Sequence, residues 1–340
     1  MVFFLKGESM ELKVTTSQNT YSVIIERGIL NHVAEYIDTK RRVYIVSDDG
    51  VPEAYQDILL SQFIDASIYI FPFGEASKNL STYEAILKDM LEKQISRKDL
   101  LIALGGGVVG DMAGFAAATY MRGIEYINIP TTTLSQIDSS IGGKTAVDLN
   151  GRKNSVGAFW QPSLVLIDPE TLKTLPKRQI SAGLAEAVKM GMICDRELFE
   201  LFEKDDYYDH IDEIIFRSLK AKRDVVAEDE RETGLRKILN FGHTYGHAYE
   251  SLHGFTYLHG ECVAMGMMTI LDDEVLKERL KAVLMRLELP LSCEYDRDAL
   301  LNLMRNDKKA EHEMITVCQV HALGSADLEA WTMKELGRRV

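Results

Sequence analysis

Short apolar, β-branched runs alternate with amphipathic stretches through the first half of the chain, and the alternation stops in the second half. Residues 42–46 form an apolar run that ends in the turn-prone segment 47–50, and residues 67–71 form another that stops at Pro72. Both have the length and composition of strands. Over residues 77–93 the spacing of Leu80, Tyr83, Ile86, Leu87 and Met90 predicts an amphipathic helix. The unbroken apolar run 100–104 predicts a strand buried on both faces of a parallel sheet. An alanine-rich helix over 110–120 and strands over 125–129 and 164–167 continue the pattern. Strand–helix alternation of this kind predicts an open α/β sheet with ligands at the strand C-termini.

After Asp168 the period changes. Helices are expected over 179–193, 212–229, 240–252, 262–287 and 299–304, with no further β run before 314–320. Residues 1–168 therefore read as a nucleotide-binding α/β domain and residues 169–340 as a mainly helical one. A length of 340 residues agrees with two domains, at roughly 150 residues each.

Composition narrows the class. With 46% hydrophobic and 27% charged residues the chain is an ordinary globular protein. Its net charge of −13, spread over both halves, argues against a nucleic-acid or anionic-membrane partner. The four cysteines have no metal-type spacing and fit a reducing compartment. No apolar run approaches the ~18 residues of a membrane span, so a cytoplasmic location is expected. Met10 is an alternative start, with the first nine residues an upstream extension. Taken alone, the acid excess suggests a protein that repels anions.

Three clusters change that picture. Gly105, Gly107 and Gly110 satisfy G-x-G-x-x-G between a predicted strand and a predicted helix. That context suits a nucleotide phosphate at a helix N-terminus. The alternative is a tight turn that needs positive φ angles. Because the loop follows two strands instead of opening the domain, and Asp111 puts an acid beside it, a non-standard dinucleotide fold is the better expectation. Next come Thr131, Thr132 and Thr133 after a strand, then Gly142, Gly143 and Lys144, which read either as an anion site or as a flexible polar turn. The third cluster is histidine-rich. His243 and His247 are four apart, hence on one helix face, and His259 follows. Spacing suggests His243 and His247 as a metal pair, completed by a carboxylate from Glu250 or Glu186. In isolation Glu186 would read as a solvent-facing helix acid.

Taken together, the segments 72–78, 105–111, 130–145, 152–154, 183–189, 236–247, 259–261 and 307–309 resemble the 3-dehydroquinate synthase family over nearly the whole chain. The resemblance implies a Rossmann-like, NAD-binding α/β domain and a helical domain with the active site between them. It also implies one divalent metal, zinc or cobalt, and a homodimer. By that resemblance the ligands are Glu186, His243 and His259, which leaves His247 behind the ligands or at the substrate. NAD contacts carry over to Asp48, Glu75, Lys78, Gly106, Gly107, Val108, Gly110, Asp111, Thr131, Thr132, Lys144, Lys153, Thr171, Leu172, Lys173 and Thr174. Substrate contacts carry over to Asp138, Lys144, Asn154, Lys189, Lys222, Arg236, Asn240, His247 and the Lys308–Lys309 pair, with Arg122 reaching the neighbouring subunit's site. Lys144, Lys189, Lys222, Arg236, Asn240 and His247 are the implied catalytic set.

The implied substrate, 3-deoxy-D-arabino-heptulosonate 7-phosphate, carries a carboxylate and a phosphate. A site for two anions needs clustered cations whatever the net charge. Another sugar-phosphate cyclase, a metal-dependent polyol dehydrogenase and a catalytically dead NAD-binding sensor are the competing readings.

Overall fold

Val43 and Ile45 pack on one side of a sheet while Tyr44 and Val46 pack on the other, and Leu100, Ile102 and Leu104 alternate likewise with Leu101 and Ala103. Apolar residues at every position thus place these strands in the middle of a two-sided core. The computed structural model describes residues 9–17, 19–254, 256–307 and 314–340. Lys308 and Lys309 lie outside the described residues.

The first unit contains β1 (Met10–Thr15), β2 (Thr20–Ile25), β3 (Val43–Asp48), α1 (Glu53–Leu60), β4 (Ala66–Phe71), α2 (Leu80–Glu92), β5 (Leu100–Gly105), α3 (Gly107–Thr119), β6 (Tyr126–Pro130), β7 (Lys144–Leu149), β8 (Arg152–Phe159) and β9 (Leu164–Ile167). Seven strands form one sheet in the order β1-β2-β9-β6-β5-β3-β4. All neighbours are parallel except the β1–β2 pair. The chain leaves β3 for β4 on one side, then returns to set β5 on the other. The order therefore reverses between β3 and β5, where strand C-termini open a ligand crevice. Asp48 ends β3 and Gly105 ends β5 at that point.

Some boundaries differ from the sequence expectation for local reasons. The α2 helix starts at Leu80, not Ser77, because the Asn79 side chain accepts the Thr82 N–H at 3.0 Å and caps it. The β7–β8 ribbon, not expected, turns through Asn150 (φ 50°) and Gly151 (φ 74°). Two consecutive left-handed residues are the signature of a tight hairpin, and Asn-Gly is its sequence signal.

The second unit contains α4 (Lys177–Ile193), α5 (Arg196–Phe202), α6 (Ile211–Glu228), α7 (His243–Leu252), α8 (His259–Ile270), α9 (Glu274–Arg286), α10 (Arg297–Asp307), the antiparallel pair β10 (Met314–Ala322) and β11 (Ser325–Thr332), and α11 (Met333–Gly337). Every residue of α4 from Ser181 to Ile193 is buried, which makes it the central helix of this unit. The single helix expected over 262–287 is two. The first stops at Ile270, and Asp273 caps the second through the Leu276 N–H at 2.9 Å. The units divide at Leu175 and Pro176, beyond the expected Asp168. The turn Pro169–Thr174 stays with the first unit because Gln136 Nε2 donates to Asp168 O (2.9 Å) and Thr171 Oγ1 (3.0 Å). Among the described residues no helix is long and apolar enough to cross a membrane.

Candidate functional site

In the first unit the glycine loop sits at the strand-order reversal. None of Gly105, Gly106, Gly107 and Gly110 has a positive φ, so the turn does not use glycine for a left-handed backbone. A Cβ on Gly106 would instead lie 2.9 Å from Thr132 Cγ2, and one on Gly107 3.2 Å from Ser139 Oγ. Glycine here permits close approach between the start of α3 and the segment after β6, and Thr131 N–H donates to Gly105 O at 2.9 Å. Gly106, Gly107, Val108, Thr131 and Thr132 thus gather around the unsatisfied N–H groups of the α3 N-terminus. Asp138 lies in the π-helical turn Ser135–Ser139 that follows. Asp48, buried at the end of β3, accepts the Gly50 N–H at 3.0 Å, and burial raises its carboxyl pKa.

A charged network joins five more of the expected residues. Lys78, 5% exposed, places Nζ 2.5 Å from Asp111 Oδ2, 2.5 Å from Asn154 Oδ1 and 3.9 Å from Glu75 Oε1. Lys153 Nζ lies 3.6 Å from the same Glu75 oxygen. Burial opposes the charge on Lys78, but Asp111 and Glu75 outweigh it and hold its pKa above the ordinary value. Asn154 reaches this cluster because Asp148 Oδ1 accepts its backbone N–H at 2.8 Å. Thr171 and Leu172 are buried in the turn before α4, where Lys173 pairs with Glu170 and Thr174 Oγ1 donates to Thr171 O at 3.0 Å. Lys144 is exposed at the start of β7, and Arg122 is exposed on the left-handed turn after α3 (φ 67°).

In the second unit three helices meet at backbone contact. A Cβ on Gly260 would lie 1.7 Å from Ala182 O, and one on Gly266 1.9 Å from Gly242 O. The helix α8 therefore crosses α4 and α7 where only glycine fits. Glu186 lies one turn beyond Ala182, His259 immediately precedes Gly260, and His243 immediately follows Gly242. The crossings bring all three together.

Glu186 is 1% exposed, which overturns its reading as a solvent-facing acid. Its Oε1 lies 3.4 Å from His259 Nε2 and 3.6 Å from His243 Nε2, with no hydrogen bond of good geometry. Its Oε2 pairs with Lys189. The outer ring nitrogens are tied elsewhere: His243 Nδ1 lies 3.1 Å from Phe241 O, and His259 Nδ1 lies 3.4 Å from Glu250 Oε2. Both Nε2 atoms thus turn toward Glu186, while Glu250 stands on the far side of the His259 ring. A ring nitrogen from each of His243, His247 and His259 lies within 4.8 Å of the other two.

Burial opposes the Glu186 charge, but Lys189 and the two histidines outweigh it and hold the carboxyl well below its ordinary range. Burial, reinforced by Lys189, pushes His243 well below the ordinary histidine value. Burial works against charge on His259 as well, but the Glu186 and Glu250 carboxylates on either side of its ring prevail and raise it to about 9. An ionised carboxylate with an orphaned buried oxygen and converging imidazole nitrogens is a donor set that fits zinc or cobalt.

Three of the expected cations are buried. Lys189 and Arg236 are each 2% exposed and Lys222 is 6% exposed, so none is an ordinary solvated surface cation. They come from α4, α6 and the segment Leu235–Asn240, which pack on one another. Asn240 Nδ2 donates to Glu232 Oε1 at 2.7 Å. Glu232 escaped the sequence reading because nothing in its polar loop marks it. The loop is shaped by Asp229, which accepts the backbone N–H groups of Gly234 (2.7 Å), Thr233 (3.0 Å) and Arg236 (3.1 Å).

Two family models match end to end, the 3-dehydroquinate synthase N-terminal model over residues 68–182 and the C-terminal model over residues 183–310. A 3-dehydroquinate synthase from Clostridium acetobutylicum is 41% identical over 345 residues, covering 95% of this chain and 97% of that protein. Among solved structures, 2-deoxy-scyllo-inosose synthase with carbaglucose-6-phosphate, NAD+ and Co2+ superposes with a TM-score of 0.87 at 25% identity, over 97% of this chain and 98% of that one. The 2-epi-5-epi-valiolone synthase of Streptomyces hygroscopicus, with NAD+ and Zn2+, gives 0.86 at 25% identity over 96% and 97%. With both halves matched in order and a full-length relative at such identity, the chain belongs to the 3-dehydroquinate synthase family.

Proposed function

We propose that the chain converts 3-deoxy-D-arabino-heptulosonate 7-phosphate to 3-dehydroquinate and phosphate, using recycled NAD and one zinc or cobalt ion held by Glu186, His243 and His259. The observation that carries this reading is the buried Glu186 carboxylate facing two imidazole Nε2 atoms beside Lys189. The NAD+ and Co2+ or Zn2+ of the two cyclases support both cofactors here. The crevice at Asp48 and Gly106 supports NAD in the α/β unit.

When bound, NAD supplies a reversible hydride acceptor for the substrate's C5 centre and the metal supplies Lewis acidity at the C5 hydroxyl. The chain's own residues do the rest. Lys189, Lys222 and Arg236 neutralise the carboxylate and phosphate, and Lys144, Asp138 and Asn154 are further substrate contacts. A desolvated cation attracts an anion far more strongly than a surface lysine does. Asn240, held by Glu232, orients a substrate hydroxyl, and His247 moves the C5 hydroxyl proton at its ring nitrogen. Once C5 is a ketone, the C6 proton is acidic and phosphate leaves by elimination. The departing phosphate takes that proton, so no strong protein base is needed. After C5 is reduced again, the enol pyranose opens and an intramolecular aldol step closes the carbocycle. The working form is a cytoplasmic homodimer in which Arg122 extends to the partner's site, and Lys308 or Lys309 adds a further cation.

The test is incubation of purified protein with the heptulosonate phosphate, trace NAD and zinc or cobalt. One phosphate released per dehydroquinate, with no net NADH, is expected. Steady NADH accumulation would identify a polyol dehydrogenase instead, and absence of turnover would point to another cyclase or a dead sensor.

A further inference from the structure

We infer that Glu250 is a positioning residue that fixes the tautomer and orientation of His259 as a metal ligand. The inference rests on the ligand set proposed above and adds a residue to which that reading gives no role.

The α7 helix carries His243, His247 and Glu250 at i, i+4 and i+7, one face of the helix. Glu250 is buried, and a buried carboxylate requires a partner that repays its lost hydration. Its Oε2 lies 3.4 Å from His259 Nδ1, whereas Glu186 Oε1 lies 3.4 Å from Nε2 of the same ring. Two carboxylates therefore bracket one imidazole. Glu250 cannot share a metal with Glu186 at Nε2, because the ring stands between them. As a hydrogen-bond acceptor it requires the proton on Nδ1, and that leaves the Nε2 lone pair for the metal.

His243 needs no such side chain, since the Phe241 carbonyl lies 3.1 Å from its Nδ1. His259 comes from a different helix and is only half-buried, so packing alone holds its ring less firmly. The neighbouring acid cannot substitute. Glu261 is engaged by Arg178 through two contacts of 2.7 Å, and it accepts the Leu258 N–H at 2.8 Å. Among the described carboxylates, Glu250 is the one at the outer nitrogen of His259.

The test uses the full chain carrying Glu250→Ala, Glu250→Gln or His259→Ala, with zinc affinity measured by chelator competition and site geometry read from the visible absorption of bound Co2+. Loss of an outer-shell partner of this kind typically weakens metal binding about 10- to 100-fold. Glu250→Ala is expected in that range, with an altered Co2+ spectrum. Glu250→Gln, which keeps the size and an acceptor oxygen, should recover part of the loss. Melting of the metal-free proteins checks that each variant folds; if Glu250→Ala does not, the near-isosteric Glu250→Gln decides through its affinity and spectrum. Wild-type zinc affinity and Co2+ spectrum in the Glu250 variants, while His259→Ala loses metal, would overturn the inference and leave the ligand set standing. Retention of metal by His259→Ala would overturn the ligand set itself.

Discussion

Arg236 is a buried cation whose backbone emerges from an exposed loop, and one carboxylate reconciles the two. Hydrogen bonds from the backbone N–H groups of Gly234 and Thr233, and then Arg236, hold the Asp229 carboxyl down at about 2. Its folded pKa is below the unfolded value, so the stabilisation is fully present above about pH 4 and is lost as pH falls toward about 2. Asp229→Asn should therefore melt at lower temperature than the wild type near neutral pH, and the gap should close as the solution is acidified. Thermal melts over that range check this; a gap that does not change with pH would mean that the charge is not what shapes the loop. At this scale the sequence showed residue types but not their meetings. Spacing pairs His243 with His247, because a helix face is a one-dimensional property. The carboxylate facing the His243 and His259 rings comes from α4; the motif resemblance names it, spacing leaves it open beside Glu250, and the crossing of helices supplies the physical reason.

That crossing belongs to the scale of elements. Strands β3, β5, β6 and β9 and the amphipathic helix α2 were legible because burial of one or both faces leaves its period in the sequence. Where hydropathy continues but the backbone breaks, the period misleads. Apolar spacing resumes at Val275 and Leu276, yet the backbone turns extended at Leu271 and Asp273 caps a second helix. The β7–β8 ribbon is half exposed and short, so its signal was the Asn150–Gly151 turn and not its strands. The glycines of α8 were visible as letters but not as contacts. Gly260→Ala should destabilise the chain by about 1–3 kcal/mol, as overpacking does, and weaken metal binding as α8 moves off α4. Because the clash is with the Ala182 carbonyl oxygen, Ala182→Gly should not rescue it. Denaturant unfolding of the single and double variants checks both statements, and rescue by the double variant would mean that side-chain crowding was the cause.

At the scale of the whole molecule, a net charge of −13 coexists with three buried cations in one unit. The acid excess reports the solvated surface, and these three cations are groups which that surface excludes. Each unit also has its own apolar interior: two clusters flank the seven-stranded sheet, and α4 is buried within the helical unit. Ligand stabilisation should follow this division. Zinc at about 100 times its Kd would stabilise the folded state by about 2.7 kcal/mol. Hydrogen exchange of the full chain should then slow in α4, α7 and α8, whose backbones carry Glu186, His243 and His259, with little change in β3 and β5. Added NAD should do the reverse, slowing exchange in the first turn of α3 and in residues 131–139. A ligand slows exchange through every opening that destroys its site, so a unit that opens separately from that site is left unchanged. If zinc protected the glycine loop as strongly as α7 and α8, the metal would not act through the helical cluster alone.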